Sequence, residues 1–199
     1  MLQVDTFVRA YRLAPAVLSL AHAMRTGSQV LAIAAPLMRT LAETQRINVG
    51  LAAPDRDEMV YLESIRYSRR VVLRHVVSGQ RVPMELTSLG RAYLAVVSEP
   101  KREALLATFQ HRRAGQWEVL EQAIEDARQS VRARGFCAAA WQPEVVALAT
   151  PLVTPDAIYV LNLSISTEEA LAKVVEDLWN PLIALRDEIQ KRLNALQSM

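Results

Sequence analysis

Apolar residues recur along this chain with two periods, and the places where the period changes divide it into elements. Residues 1–13 are short and alternating, which reads as a strand remnant or an extended arm. From Pro15 to Met24 the spacing of Val17, Leu18, Ala21 and Met24 is helical, and Gly27 closes the segment. Ser28 then precedes Val30, Ile33, Ala34, Leu37, Met38 and Leu41, an i, i+3, i+4, i+7 stripe that predicts a second helix. Pro36 lies inside that stripe and predicts a kink or a local break, because it donates no amide and crowds the preceding turn.

After Gln45 the period drops to two. Ile47, Val49 and Leu51 alternate, the polar run APDRDE turns the chain, and MVYLESI (59–65) completes a hairpin. A third strand is expected around Val71–Val76. Helical spacing returns from Thr87 or Ser88 to about Val97, and Pro100 blocks its continuation. A short helix around Arg102–Phe109 follows, then a longer one over Trp117–Arg134. Leu120, Ala123, Ile124, Ala127 and Val131 form one face of the longer helix, and Gly135 suits its C-terminal cap. Phe136–Trp141 reads as extended. Val145–Val153 and Ala157–Ser166 form a second hairpin around TPD. Thr167, with Glu168 and Glu169, opens a last helix carrying Leu171, Val174, Val175 and Leu178; a kink is expected at Pro181 before Leu182, Leu185, Ile189, Leu193 and Leu196. Hairpins and helices segregated in this way predict an α+β domain, an antiparallel sheet with helices packed on it.

With 199 residues the chain can bury one sizeable core. The balance of 23 basic and 21 acidic residues leaves a net charge of +2, which argues against an extended basic footprint for nucleic acid. Basic pairs such as Arg69–Arg70 and Arg112–Arg113 therefore read as solvated surface. Cys137 is the one cysteine, and His22, His75 and His111 are far apart, so neither a disulfide framework nor a metal site is expected. No secretory leader pattern and no apolar run of about 18 residues is present, so a cytoplasmic location without a membrane span is expected. No GxSxG elbow, P-loop, HExxH or GxGxxG occurs. Glu43, Glu58, Glu63 and Glu85 are scattered carboxylates without an ordered base beside them. The reading is of a protein that is not an enzyme and that uses no cofactor.

The segment Gly79–Ala95, GQRVPMELTSLGRAYLA, carries the most chemistry. Thr87 can cap the helix that begins at Ser88, and a capped N-terminus presents free amides and a positive dipole end to a carboxylate or phosphate. Most such termini bind only water. Ser164 and Ser166 lie two apart in a predicted strand, so their hydroxyls share a face. As residues alone they read rather as ordinary polar groups at the edge of a core, bonded to backbone.

The order of several motifs resembles the effector domain of the IclR family of bacterial transcription regulators. GQRVPMELTSLGRAYLA resembles that family's loop and helix; YRLAP (11–15) resembles the close of the DNA-binding wing and the start of a linker helix. MVYLESI, VRARGF (131–136), ALATPLV (147–153) and YVLNLSIS (159–166) resemble successive core strands and the end of a helix. The resemblance implies a GAF/profilin-like antiparallel sheet with flanking helices, an N-terminal linker helix and a long C-terminal helix. It divides the chain into a residual wing or arm (1–13), linker and first helices (14–45) and the effector-binding domain (46–199). It also implies a small carboxylate effector held by the amides of Ser88 and Leu89, with Thr87 just before them, and by Ser164 and Ser166.

Family members that hold small oxoacids carry an acidic residue after the RG pair and a cysteine before the following strand. Here Ala138–Ala140 stand in the first region, Ala147 replaces the cysteine, and Glu85 occupies a position where a small or imidazole side chain is common. A pocket stripped of polar side chains suits a carboxylate with a larger apolar body, an aromatic or branched acid, walled by Trp141, Val71 and Val82. The expected partners are that acid and further copies of the chain, as homodimer or tetramer. DNA would be reached only through a winged helix-turn-helix not in this chain, which is then an excised domain or a naturally short protein. The rival readings are a ligand-free oligomerisation module, with a pocket plugged by its own side chains, and an enzyme acting on a small acid.

Overall fold

A computed structural model describes residues 2–5, 10–67, 77–142 and 144–197. Two short strands, β1 (Leu2–Asp5) and β2 (Ala10–Leu13), pair with each other in a separate two-stranded ribbon. Helix α1 (Ala16–Thr26) buries none of its residues, and Leu18, Leu20 and Met24 on it are exposed. Its last turn is tied to the rest of the molecule by Arg25, which donates to the Leu62 carbonyl at 2.7 Å and to Glu63 Oε2 at 2.5 Å. Helix α2 (Gln29–Gln45) starts at Ser28, whose hydroxyl accepts from the Leu31 amide at 3.4 Å. Pro36 lies within this single helix, which continues through it.

Among the described residues the main sheet has six strands in the order β5-β4-β3-β8-β7-β6, every pair antiparallel. Its hairpins are β3 (Asn48–Asp55) with β4 (Glu58–Ile65) and β7 (Val145–Val153) with β8 (Ile158–Ser166); β5 is Arg81–Pro83 and β6 is Cys137–Gln142. Period-two alternation sends Val49, Leu51, Leu148, Leu161 and Leu163 to one face, where they pack with Met38 of α2 and with Leu182 and Ile189 of the long helix α6 (Leu171–Gln197). The opposite face carries Ala52, Met59, Ala149 and Val160 under α3 (Ser88–Val96), α4 (Glu99–Arg112) and α5 (Trp117–Arg134). The α+β class and the sheet-with-helices architecture expected above are therefore present.

Four local expectations differ. Helix α4 begins before Pro100 rather than after it, because proline in a first turn forfeits only an amide that has no partner there anyway. Helix α6 opens at Leu171, not Thr167; the Thr167 hydroxyl instead accepts from the Glu169 amide at 3.0 Å in a turn, and α6 then runs unbroken through Pro181. Arg81–Pro83, expected as loop, pairs with Glu58–Val60 as an edge strand. Arg112 and Arg113 are not free surface charges: they reach the fully buried Glu85 at 3.3 and 3.1 Å, and Arg112 also bonds Asp57 at 2.8 Å. A buried carboxylate must be paired, and the end of α4 supplies both cations. The strand expected at Val71–Val76 lies outside the described residues, as do His75 and the Arg69–Arg70 pair.

Candidate functional site

Helix α3 is placed by Thr87 at its N-terminus. The Thr87 hydroxyl accepts from the Gly90 amide at 3.2 Å and donates to the Pro83 carbonyl at 2.8 Å, locking the helix start to the strand before it. Gly90 lies hard against the Met84 backbone; a Cβ there would collide with Met84 Cα. In the first turn the amides of Ser88 and Leu89 have no carbonyl of their own helix to meet. Both residues are buried, and the Ser88 carbonyl accepts from the Cys137 thiol at 3.5 Å.

This helix start closes one end of a cavity of about 200 Å³. Thr87, Ser88, Leu89, Ser164, Ala147, Trp141 and Val82 all line it, so seven of the expected site residues come together. Trp141 stands at its rim, 37% exposed, whereas Val82 and Ser164 are buried. Ser166 shares the face of Ser164, opposite Val145, but sits half-buried in a wider groove beyond the cavity, beside Asn48 and Tyr67. Val71 lies outside the described residues.

The cavity is not stripped of polar side chains, contrary to expectation. Tyr61, Arg66, Gln80 and Asn162 also line it. They come from β4, the residue after it, the turn before β5, and β8, and only the pairing of β3 with β4 and β8 brings them together. Gly50 on β3 makes room for them: a Cβ there would meet Asn162 Oδ1 and Tyr61 Cε1. An Asn within YVLNLSIS, in phase with the buried positions, was the one visible sign of a polar group inside the sheet. Nothing in the spacing tied it to Tyr61 or Arg66.

Electrostatically the cavity is one-sided. No carboxylate lines it, and Arg66 is the sole formally charged side chain among the described lining residues. Arg66 is half-buried; burial lowers the pKa of its guanidinium, opposed by the neighbouring Tyr61. Burial pushes the Tyr61 hydroxyl up to about 12, against weaker opposing effects from Arg66 and the Asn162 amide, so it stays protonated. Four side-chain atoms among the described residues are buried without a hydrogen-bond partner, and three of them, Arg66 Nε, Gln80 Oε1 and Asn162 Oδ1, belong to this cavity. Leaving such a group unpaired costs about 1–3 kcal/mol, which a bound molecule can recover. The Asn48 side chain, by contrast, is satisfied by the Ser164 carbonyl and the Tyr67 amide, both at 3.2 Å.

The scaffold is shared with known proteins. The family model described as Bacterial transcriptional regulator IclR C-terminal matches residues 22–188. An IclR family transcriptional regulator from Brucella abortus superposes with a TM-score of 0.84 at 28% identity, over 96% of this chain and 74% of that one. An IclR homolog from Microbacterium hydrocarbonoxydans, solved in complex with 4-hydroxybenzoate, shares the fold at a TM-score of 0.70 and 22% identity, over 98% of this chain and 80% of that one. The Pca regulon regulatory protein of Pseudomonas putida is 25% identical over 143 residues, 62% of this chain and 49% of that protein. This chain thus spans about half the length of that curated relative. The fold is that of a ligand-binding domain of a transcription regulator. The chain belongs to the IclR C-terminal family of bacterial transcriptional regulators, whose members regulate transcription rather than catalyse reactions. No helix among the described residues is long and apolar enough to cross a membrane.

Proposed function

We propose that this chain is the effector-binding and oligomerisation domain of a cytoplasmic transcription regulator and senses a small organic carboxylate with an apolar, aromatic body. The observation that carries the reading is the cavity's charge: among the described lining residues the one charged side chain is Arg66, which, with an unpaired Nε, faces the same small space as the start of α3. Unpaired donors and a helix dipole of the same sign favour an anion. The volume limits that anion to a compact molecule, since drug-sized pockets run to about 300–1,000 Å³. Val82, Leu89, Val145 and Trp141 supply the apolar walls. The 4-hydroxybenzoate held by a protein of the same fold, and the regulatory relative of the Pca regulon, support an aromatic acid. In this reading residues 1–13 are the residual wing, 14–45 the linker and first helices, and Thr87, Ser88, Leu89 and Ser164 the polar end of the site, with Ser166 in the groove beyond it.

Exposed Leu18, Leu20 and Met24 on α1 support assembly with further copies, as dimer or tetramer. An effector that binds one arrangement of that assembly more tightly shifts the population toward it, and so resets DNA-binding heads carried elsewhere. The rival reading, a ligand-free module, requires a plugged pocket; the open cavity with three orphaned polar atoms speaks against it. A thermal-shift screen of the chain against benzoates, branched acids and short oxoacids tests the proposal. Saturation at 100 times the dissociation constant stabilises by about 2.7 kcal/mol. For a domain of this size that raises the Tm by about 5–10 °C. A panel of acids that leaves the Tm unmoved overturns the reading.

A further inference from the structure

We infer that Arg25, in the last turn of α1, is a positioning residue through which occupancy of the cavity and docking of α1 control each other. The inference rests on the carboxylate reading above and gives its signal a physical route. That route begins at an irregularity in the sheet. In the register of β3 with β4, Ala52 faces Tyr61 and Leu51 faces Glu63, so Leu62 is an extra residue, a β-bulge, with no partner on β3. Arg25 grips the bulge. Its guanidinium donates to the Leu62 carbonyl at 2.7 Å, to Glu63 Oε2 at 2.5 Å and to Ser78 Oγ at 3.1 Å.

These three acceptors adjoin two walls of the cavity. Tyr61 precedes the bulge, and Gln80 follows Ser78 by two residues. The strand and the turn are also clasped directly: the Gly79 amide donates to the Tyr61 carbonyl at 2.7 Å, and the Tyr61 amide to the Gln80 carbonyl at 2.9 Å. One guanidinium thus bridges the strand that carries Tyr61 to the turn that carries Gln80, without itself lining the cavity. Beyond the chain connection, little else holds α1. It buries none of its residues, and among the described residues Arg25 makes its only side-chain hydrogen bonds outside its own helix. The Arg25 side chain is 42% exposed, and an ion pair open to water is a weak tie. Docked and released α1 are therefore close in free energy, so a ligand can shift their balance. The cavity is formed with the grip in place. An acid that fills it favours docked α1, and by reciprocity the grip favours the acid.

Amide exchange of residues 16–26 and isothermal titration test this on the whole chain, with benzoate, 4-hydroxybenzoate and pyruvate as probes. A released helix of 11 residues is marginal in water, so its amides exchange when it leaves the domain. A bound acid should slow exchange across α1 by about fivefold or more in the wild-type chain, and leave it unchanged in Arg25→Ala. The same substitution should weaken acid binding by about fivefold or more, although Arg25 touches no part of the cavity. Arg25→Lys keeps a cation for Glu63 but lacks the planar fork that spans three acceptors, and should fall between the two. A role confined to stability would lower the Tm of Arg25→Ala and leave acid affinity intact. That result, or equal exchange of α1 with and without bound acid, overturns the coupling while acid binding stands. A wild-type chain that binds none of the acids overturns the carboxylate reading and this inference with it.

Discussion

The two faces of the central sheet are built from the same strands and meet opposite fates. On the side of α2 and α6, Val49, Leu51, Leu148, Leu161 and Leu163 are buried against aliphatic side chains, and the one buried polar side chain in phase with Leu148 and Leu152 on β7, Thr150, donates to the Gly135 carbonyl at 2.7 Å. On the other side the apolar packing under α3 and α5 gives way, toward one end, to Gly50, Asn162, Ser164 and Ala147. There the sheet presents small and polar residues to a cavity instead of leucines to a helix. The first face illustrates what folding asks for, namely volume filled and no polar group stranded. The second violates that rule at three atoms within one space. Three of the four orphaned side-chain atoms found among the described residues gather at this one place, and they are what the proposed ligand would pair.

The strongest way to break this contrast is at the joint that sets α3 on the sheet. Gly90→Ala drives a methyl into the Met84 backbone, which cannot move aside without displacing the helix start. We expect a loss of about 3 kcal/mol in urea unfolding, together with loss of acid-induced stabilisation. A fully stable Gly90→Ala protein would mean that this end of the site is looser than it looks.

A second expectation concerns pH. Cys137 and Tyr61 both lie on the cavity side of the sheet, and burial holds each at about 12, from ordinary values of 9.0 and 10.0. Both pKa values are raised on folding, so their stabilisation is complete below about pH 9 and is lost as pH climbs from there toward 12. Each group contributes a slope of about 1.4 kcal/mol per pH unit once its unfolded form ionises. By pH 10.5 the thiol alone should account for about 2 kcal/mol of lost stability. Comparing urea midpoints of wild type and Cys137→Ala from pH 8 to 10.5 checks it: the variant's curve should be the flatter of the two. Parallel curves would show that the thiol is not held in this buried state.

The smallest effect has the most telling sign. Asn162→Leu replaces a buried amide whose carbonyl is unpaired, though its other end meets the Tyr61 hydroxyl, with a hydrocarbon of similar shape, converting a piece of the cavity face into the kind of surface found on the α2–α6 side. It should leave stability unchanged or raise it by about 1 kcal/mol, read from the urea midpoint at pH 7. A clear loss of stability would show that Asn162 serves the fold and not the site.

Much of the architecture was legible along the chain because burial imposes a period. Val30, Ala34 and Met38 keep the helical spacing that α2 buries, and Leu161 and Leu163 keep the strand spacing that β8 buries. Thr87 and Gly135 announce helix ends through local chemistry: a hydroxyl that accepts the Gly90 amide, and a residue at φ 83°. Prolines were harder to read. Pro36, Pro100 and Pro181 all lie within helices, because a missing amide is cheap in a first turn and tolerable where packing on the sheet holds the rest.

The sequence by itself determined the α+β class, the two hairpins, the capped start of α3 and the pair of serines on one strand face. These follow from periodicity and from contacts between residues a few positions apart. Tertiary structure alone decided that Tyr61, Arg66, Gln80 and Asn162 meet in one cavity, that Ser166 stands outside it, and that Arg112 and Arg113 answer Glu85. Those partners are separated by between 5 and 101 positions and share no local signal. Strand register and helix docking, settled by the packing of the whole core, bring them within reach.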